Sequence, residues 1–390
     1  MITFLQDYLR INTVYPYPDY QGAVTLFRER ALHDDFLVTE IQLPSGNSVL
    51  IITLQGSSPE LPALVLNHHM DVVPANNTHE WTHPPFAGMV DQGRIYGRGA
   101  QDCKGLGVAQ YAALQRLKHE GAQPVRTIHC ILVPDEERGG FQGMKEFVDH
   151  PIFNTLNIGY VLDEGMPSGD DSVILIKTDE RTPLQIGITA RGIQGHASML
   201  FHDNCVHTLV SFLQEMVTLH EDKKRSALDE PGKHISMQIT SLITDNKALN
   251  VIPSYAHATI DIRVPSHLSF DDIFILLNEL MKKYPQIGYE ILATSKERLT
   301  PLSTDSYFYQ ELSKAISDCG FTPRPFSFEA TTDARFYSNR GIPVIGLTPF
   351  TIAPNLHGTD EYIRIKDFEQ ARDSIYSFLK KFCVPNTILT

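Results

Sequence analysis

Residues 127–140 read TIHCILVPDEERGG. A short run of Ile, Leu and Val, stopped by Pro134 and a glycine pair, is the pattern of a strand buried on both faces. It ends in two adjacent glutamates, Glu136 and Glu137, each raising the other's cost of ionising; taken alone, they fit a solvated turn. Runs of the same kind recur as VLIITL (49–54), ALVLNHHMD (63–71), GYVLDEG (159–165) and IPVIGL (342–347), with helical stretches over Gly105–His119 and Lys366–Phe382. Apolar strands separated by helices predict an α/β fold, a mixed sheet covered by helices on both faces, with its site at the carboxyl ends of strands. Three runs end there in acid or imidazole: His69 and Asp71, Glu136 and Glu137, Asp163 and Glu164.

Between Thr182 and about Thr294 the texture changes. LQIGITA alternates with period two, a helical run covers Cys205–His220, then come HISMQITSLI, YAHATIDIRV, a helical run over Phe270–Tyr284, and YEILAT. That order, β-α-β-β-α-β, is the ferredoxin-like α+β arrangement. The expected organisation is a catalytic domain in two segments, 1–181 and 296–390, interrupted by an inserted domain at 182–295, since surface loops tolerate insertion. No internal repeat or low-complexity tract occurs.

The chain of 390 residues carries a net charge of −13 with a pI near 5.6 and no basic run. This argues against nucleic acid and against an anionic membrane surface. No basic leader precedes an apolar stretch at the N-terminus, and no run reaches the ~18 apolar residues of a membrane span. Five scattered cysteines without a C-x-x-C pair indicate neither a disulfide framework nor a thiolate zinc site. A cytoplasmic protein acting on a small molecule is expected.

His69, Asp71, Asp102, Glu136, Glu137, Glu164 and His357 form a set of the kind a pair of divalent metals needs. Two metals about 3.5–4 Å apart require a shared carboxylate, terminal imidazole and carboxylate ligands, and an open coordination position. The blocks LNHHMDVVP, YGRGAQDCKG, VPDEERGGFQGM, LDEG, GHAS, NVIP, DIRV and TDAR resemble the signature blocks of the co-catalytic zinc peptidase and aminoacylase family, over essentially the whole chain. LRINTVYPYPDYQGAV, WTHPPF and RTIH resemble its aminoacylase branch.

The resemblance implies a zinc-peptidase-like catalytic domain with an inserted lid and dimerisation domain, and two Zn²⁺ per subunit, with Co²⁺ or Mn²⁺ as alternatives. It implies His69 as a ligand oriented by Asp71, Asp102 as the bridge, Glu137 and His357 completing one ion's shell, and Glu164 joining His69 on the other. Adjacent side chains at a strand end diverge, so Glu137 faces the metal while Glu136 faces the attacking water as general base. The following glycines let the loop turn sharply. His196, Asn250 and Arg263 on the inserted domain are the matching substrate-binding residues, with Arg335 as partner of a substrate carboxylate. The implied reaction is hydrolysis of N-acyl-L-amino acids, N-acetylated neutral aliphatic ones above all, with a dipeptidase or carboxypeptidase as the alternative and a homodimer through the inserted domain. A scaffold that had lost its chemistry would lack ligands or base, and every such position is filled.

His68 falls on the opposite side of its strand and is expected to be structural; Met70 has no functional account. HEWTH (79–83) matches H-E-x-x-H, but Pro84 and Pro85 deny it the helix that motif requires. GRGAQD (97–102) ends in an aspartate that would repel pyrophosphate. Ser198 beside His196 lacks a nucleophile elbow, and Cys103 is read as a small buried residue.

Overall fold

Strands Ala63–His69 and Ile128–Val133 are buried at every position, so both their faces need cover. In the computed structural model, which describes residues 1–199, 204–226 and 233–384, they lie inside an eight-stranded sheet. Its spatial order is Leu37–Gln42, Ser48–Leu54, Ile128–Val133, Ala63–His69, Ile158–Asp163, Val344–Leu347, Val173–Glu180 and Thr322–Phe328. Ala63–His69 runs parallel to both its neighbours, and Val344–Leu347 parallel to Ile158–Asp163. Leu37–Gln42 with Ser48–Leu54, Ser48–Leu54 with Ile128–Val133, and Val344–Leu347 with Val173–Glu180 pair antiparallel. The sheet is therefore mixed, with the carboxyl ends of its central strands on one edge.

Alternation divides the side chains. Leu50, Ile52, Leu64, Leu66, Cys130 and Leu132 enter one core with apolar residues of helices Ile2–Arg10, Tyr20–His33, Lys104–His119, Tyr307–Asp318 and Ile365–Cys383. Ile51, Val65, Ile131 and Val161 are as deeply buried on the other face, where the short helix Ala334–Ser338 meets strands Val344–Leu347 and Ile158–Asp163. Each such side chain contributes roughly 1.5–3 kcal/mol. Helix Lys104–His119 is buried along nearly its whole length, which is why its sequence lacks a polar stripe.

The described residues cluster into two units. One comprises Met1–Thr178, Leu302–Phe326 and the chain from Thr332 onward; the other comprises Asp179–Pro301 with Ser327–Thr331. The short return at 327–331 is held to the second unit by Arg181 N–H donating to the Phe328 carbonyl, by Arg181 with Glu329, and by Thr331 Oγ1 donating to Glu180. That unit has an antiparallel sheet ordered Ser236–Thr244, Tyr255–Val264, Thr182–Arg191, Ile287–Thr294, and its core is shared with helices Cys205–Ser226 and Phe270–Met281. The second of these helices starts at a capping box in which Ser269 and Asp272 satisfy each other's backbone N–H. No described helix is long and apolar enough to cross a membrane.

One buried acid ties the helical layer together. Asp34, at the end of helix Tyr20–His33, accepts from Tyr111 Oη and Gln115 Nε2 at 2.6 Å, from Arg30 Nε at 3.0 Å and from His33 Nδ1 at 3.2 Å. Burial opposes its charge, but these hydrogen bonds outweigh burial and bring the carboxyl down to about 2. A depressed folded-state value stabilises the fold above the unfolded carboxyl range, near 4, and that contribution is lost as pH falls through about 2. Asp34→Asn is expected to cost roughly 2 kcal/mol at pH 7, and melting curves of the two proteins should converge as pH drops from about 4 to about 2. A gap independent of pH would refute the ionic role.

Candidate metal centre

Because the central strands are parallel, the loops leaving their carboxyl ends emerge at the same edge. His69 closes its strand, Glu164 comes directly after Asp163, and the segment after Val133 forms a single 3-10 turn, Glu136–Arg138. Asp102 precedes helix Lys104–His119, and His357 lies between strands Val344–Leu347 and Tyr362–Arg364. His69 Nε2 is 3.1 Å from Asp102 Oδ1 and 3.4 Å from Glu164 Oε2. His357 Nε2 is 3.2 Å from Asp102 Oδ2 and 3.3 Å from Glu137 Oε2. The two oxygens of one carboxylate thus face two imidazoles, each of which has a second carboxylate beside it. His69 is buried and His357 half exposed, so the cluster opens to solvent on the His357 side.

Two local readings of the sequence change. Glu136 and Glu137 stand on a 3-10 turn, entered through Asp135 at φ 72° and left through Gly139 at φ 96°, a geometry that rotates successive residues about its axis. Strand alternation does not apply, since the strand has ended. Asp71 does more than orient His69: its carboxylate accepts from Glu136 N at 3.0 Å and Glu137 N at 2.9 Å. Its nearest contact to His69 Nδ1 is the main-chain carbonyl, at 2.9 Å, with the carboxylate at 3.6 Å. Nδ1–H donating to that carbonyl leaves Nε2 as the available lone pair.

The neighbours of these residues are structural. His68 is fully buried, its ring 5.6 Å from that of Phe27 and 6.4 Å from that of Tyr8, and burial next to His69 pushes it down to about 3 and keeps it neutral. Met70 fills the same core. Asp163 turns away from Glu164 to accept from Asn67 Nδ2 and Thr332 Oγ1. The Cys103 thiol, raised by burial, accepts from His69 N at 3.2 Å. His79 is strongly exposed on a 3-10 turn that ends at Glu80, whereas His83 is partly buried beside Asp91, so HEWTH forms no site.

The electrostatics are those of a site built for cations. Hydrogen bonds that His357 donates to Asp102 and Glu137 raise it to about 10. His69 is raised in spite of burial, by the electrostatic influence of neighbouring Cys103 and Glu164 and by hydrogen bonds with Asp102 and Asp71. Burial lifts Glu164 to about 8 and Glu136 well above the usual carboxylate range, the latter further raised by the charge of Glu164. Asp102 is held low despite burial by His357 and His69. Among the described residues the groups able to hold a metal ion are His69, Asp102 and Glu137, and His69, Cys103 and Glu164. Imidazole and carboxylate donors suit Zn²⁺, Co²⁺ or Mn²⁺, and two divalent ions would balance three carboxylates and an anionic nucleophile.

The remaining expected residues have the following local partners. In the second unit, His196 lies on a two-residue ladder with Val251 and its Nδ1 is 2.8 Å from Ser198 Oγ. The Asn250 carbonyl accepts from Ala197 N, and Arg263 Nε donates to Asp261 at 2.7 Å. Arg335, in the first unit, is 2% exposed and donates to the main-chain carbonyls of Thr332 and Gly139. Its guanidinium is held in part by the loop beyond Glu137. Sequence reading missed Arg98 and Glu361, a buried pair linking the Asp102 and His357 loops; Glu361 lies in a stretch with other charges and mostly exposed or half-buried neighbours, and nothing local marks it.

With this geometry established, comparison with known proteins is specific. Residues 65–381 match the model of peptidase family M20/M25/M40. Aminoacylase-1 of Mus musculus is 34% identical over 365 residues, covering 91% of this chain and 88% of that protein. Among solved structures, the M20 family metallo-carboxypeptidase Sso-CP2 of Sulfolobus solfataricus superposes with a TM-score of 0.76 at 16% identity over 97% of this chain and 98% of that one. YXEP of Bacillus subtilis, a dinuclear metal-binding peptidase, gives 0.68 at 13% identity over 98% of each chain.

Cation binding must displace protons from His69 and His357, so affinity should fall as pH drops from 8 to 6. Calorimetry at pH 7 in buffers of different ionisation enthalpy should find about one proton released per Zn²⁺ or more. Proton-neutral binding would exclude these two ligands.

Proposed function

The chain belongs to peptidase family M20/M25/M40 and is a hydrolase; from that premise we propose that it hydrolyses the amide bond of N-acyl-L-amino acids, with N-acetylated neutral aliphatic ones preferred. The observation that carries the hydrolytic reading is Asp102 spanning the two imidazoles. The substrate class rests on the similarity to Aminoacylase-1.

His69, Glu164, Asp102, Glu137 and His357 would hold two divalent cations, zinc in the first instance. When bound, these polarise the scissile carbonyl, acidify the attacking water and offset charge developing on the carbonyl oxygen. Glu136 is the base: its carboxylate takes a proton from the water and returns it to the leaving amine nitrogen, which departs as the free amino acid while the acyl group leaves as a carboxylate. A carboxyl raised by burial and by neighbouring acids holds a proton long enough to deliver it, and nearby cations bring it back to a basic state. Asp71 positions this turn through the Glu136 and Glu137 amides. His196, Asn250 and Arg263 are proposed as substrate-binding residues on the resemblance alone. The same holds for a homodimer through residues 182–295, for the catalytic segments 1–181 and 296–390, and for a cytoplasmic location.

Dialysis against a chelator is expected to abolish release of amine from N-acetylmethionine, and zinc to restore it; activity that survives dialysis would contradict the cation mechanism. Glu136→Gln should lower kcat by 10³-fold or more, on the order expected for loss of a general base, with metal content unchanged. A panel of N-acyl amino acids against dipeptides decides between aminoacylase and peptidase specificity.

A further inference from the structure

Glu361 is wholly buried and its carboxylate is surrounded by donors. Oε1 accepts from Gln101 N at 2.8 Å and Asp102 N at 3.3 Å; Oε2 accepts from Gly99 N at 3.1 Å and Arg98 Nη1 at 2.8 Å. The carboxylate therefore binds the main chain of the loop that carries Asp102, at Asp102 itself and at two residues before it. Arg98, 3% exposed, reaches the other way: Nη1 also donates to the Gly358 carbonyl at 3.0 Å and Nη2 to the His357 carbonyl at 3.2 Å. The residue it grips, His357, has φ 63°, a left-handed conformation that costs a non-glycine residue about 1 kcal/mol or more and that needs its surroundings to hold it.

The rest of the junction supports the same two loops. Gln101 Nε2 donates to the Tyr362 carbonyl at 2.9 Å and its Oε1 accepts from Asn355 N at 2.9 Å, and Arg94–Tyr96 pairs with Tyr362–Arg364. Gly99 sits at φ 91°, where a Cβ would strike Val72 and Lys104. Two buried charges whose hydrogen bonds, apart from the one between them, go to loop backbone are a poor source of stability, since desolvation offsets most of their attraction; what they provide here is a fixed spacing.

We propose that Arg98 and Glu361 are positioning residues: a buried ion pair that latches the Asp102 loop to the His357 loop and so preforms the cation position shared by Asp102, Glu137 and His357. This rests on reading those residues as cation ligands. Neither latch residue is placed against the reacting atoms. Glu361→Gln turns an N–H toward one of the loop amides, and Arg98→Met with Glu361→Gln removes both charges together, which spares the fold an unpaired buried charge.

Cobalt titration of the cation-free proteins, followed by visible absorption, tests the latch. In both variants one of the two Co²⁺ steps should weaken by about 10- to 100-fold, the range for lost support behind a ligand, with altered d–d bands, while the other step stays as in the wild type. At saturating metal, kcat for N-acetylmethionine should fall more than KM rises. Two wild-type cobalt affinities and an unchanged spectrum in either folded variant overturn the proposal. Should neither variant fold, hydrogen–deuterium exchange over residues 97–103 of the cation-free wild-type protein decides: the latch requires slowing of about 100-fold or more relative to unstructured chain, and free-chain rates overturn it. A wild-type protein that takes up no cobalt refutes the cation reading, and the exchange rates still judge the latch on their own.

Discussion

Parallel pairing of the strands ending at His69, Val133 and Asp163 is the constraint that creates the site. Antiparallel partners would send successive chain ends to opposite edges; parallel ones deliver three loops to one edge, where their acids and imidazole meet. Full burial of the first two, and of the last three residues of the third, then holds that edge rigid to within what a cation pair tolerates. The helices answer the need for cover, and the buried Asp34 network locks two of them to each other.

Concentrating acids at one edge creates a problem that the surrounding shell manages in pieces. Asp71 commits its carboxylate to two backbone amides and its carbonyl to His69. Arg335 neutralises charge while gripping the carbonyl of Gly139, and Glu361 and Arg98 fasten the two loops that come from distant parts of the chain. In each case a buried charge is satisfied largely by main-chain groups of a loop that bears one of the clustered acids or imidazoles, which fixes where those side chains stand. The imidazoles carry the compensating positive charge meanwhile, which couples cation uptake to proton release.

Much of this was legible in the residues. The runs 49–54, 63–71, 127–137, 159–165 and 342–347 each contain a strand, Lys104–His119 and Ile365–Cys383 are helices, and the β-α-β-β-α-β order of the second unit was visible in its alternation, apart from the two-residue ladder at Gly195–His196. Helices Ile2–Arg10 and Tyr20–His33 and strand Val173–Glu180 were not singled out, being short or lacking a sharp apolar period.

Local sequence determined which segments are strands and helices, and which residue types stand at their ends, because periodicity and burial are written within a few neighbouring positions. It pointed to His69, Asp102, Glu137, Glu164 and His357 as residues of the types that hold cations, and to Glu136 as a base. Only the tertiary structure decided that Asp102 offers one oxygen to each imidazole, that Glu136 and Glu137 part on a 3-10 turn, that Arg335 faces inward, and that Arg98 finds Glu361 across 263 positions of chain. Those outcomes depend on register and loop geometry, and a hydrogen bond between distant segments leaves no period in either of them.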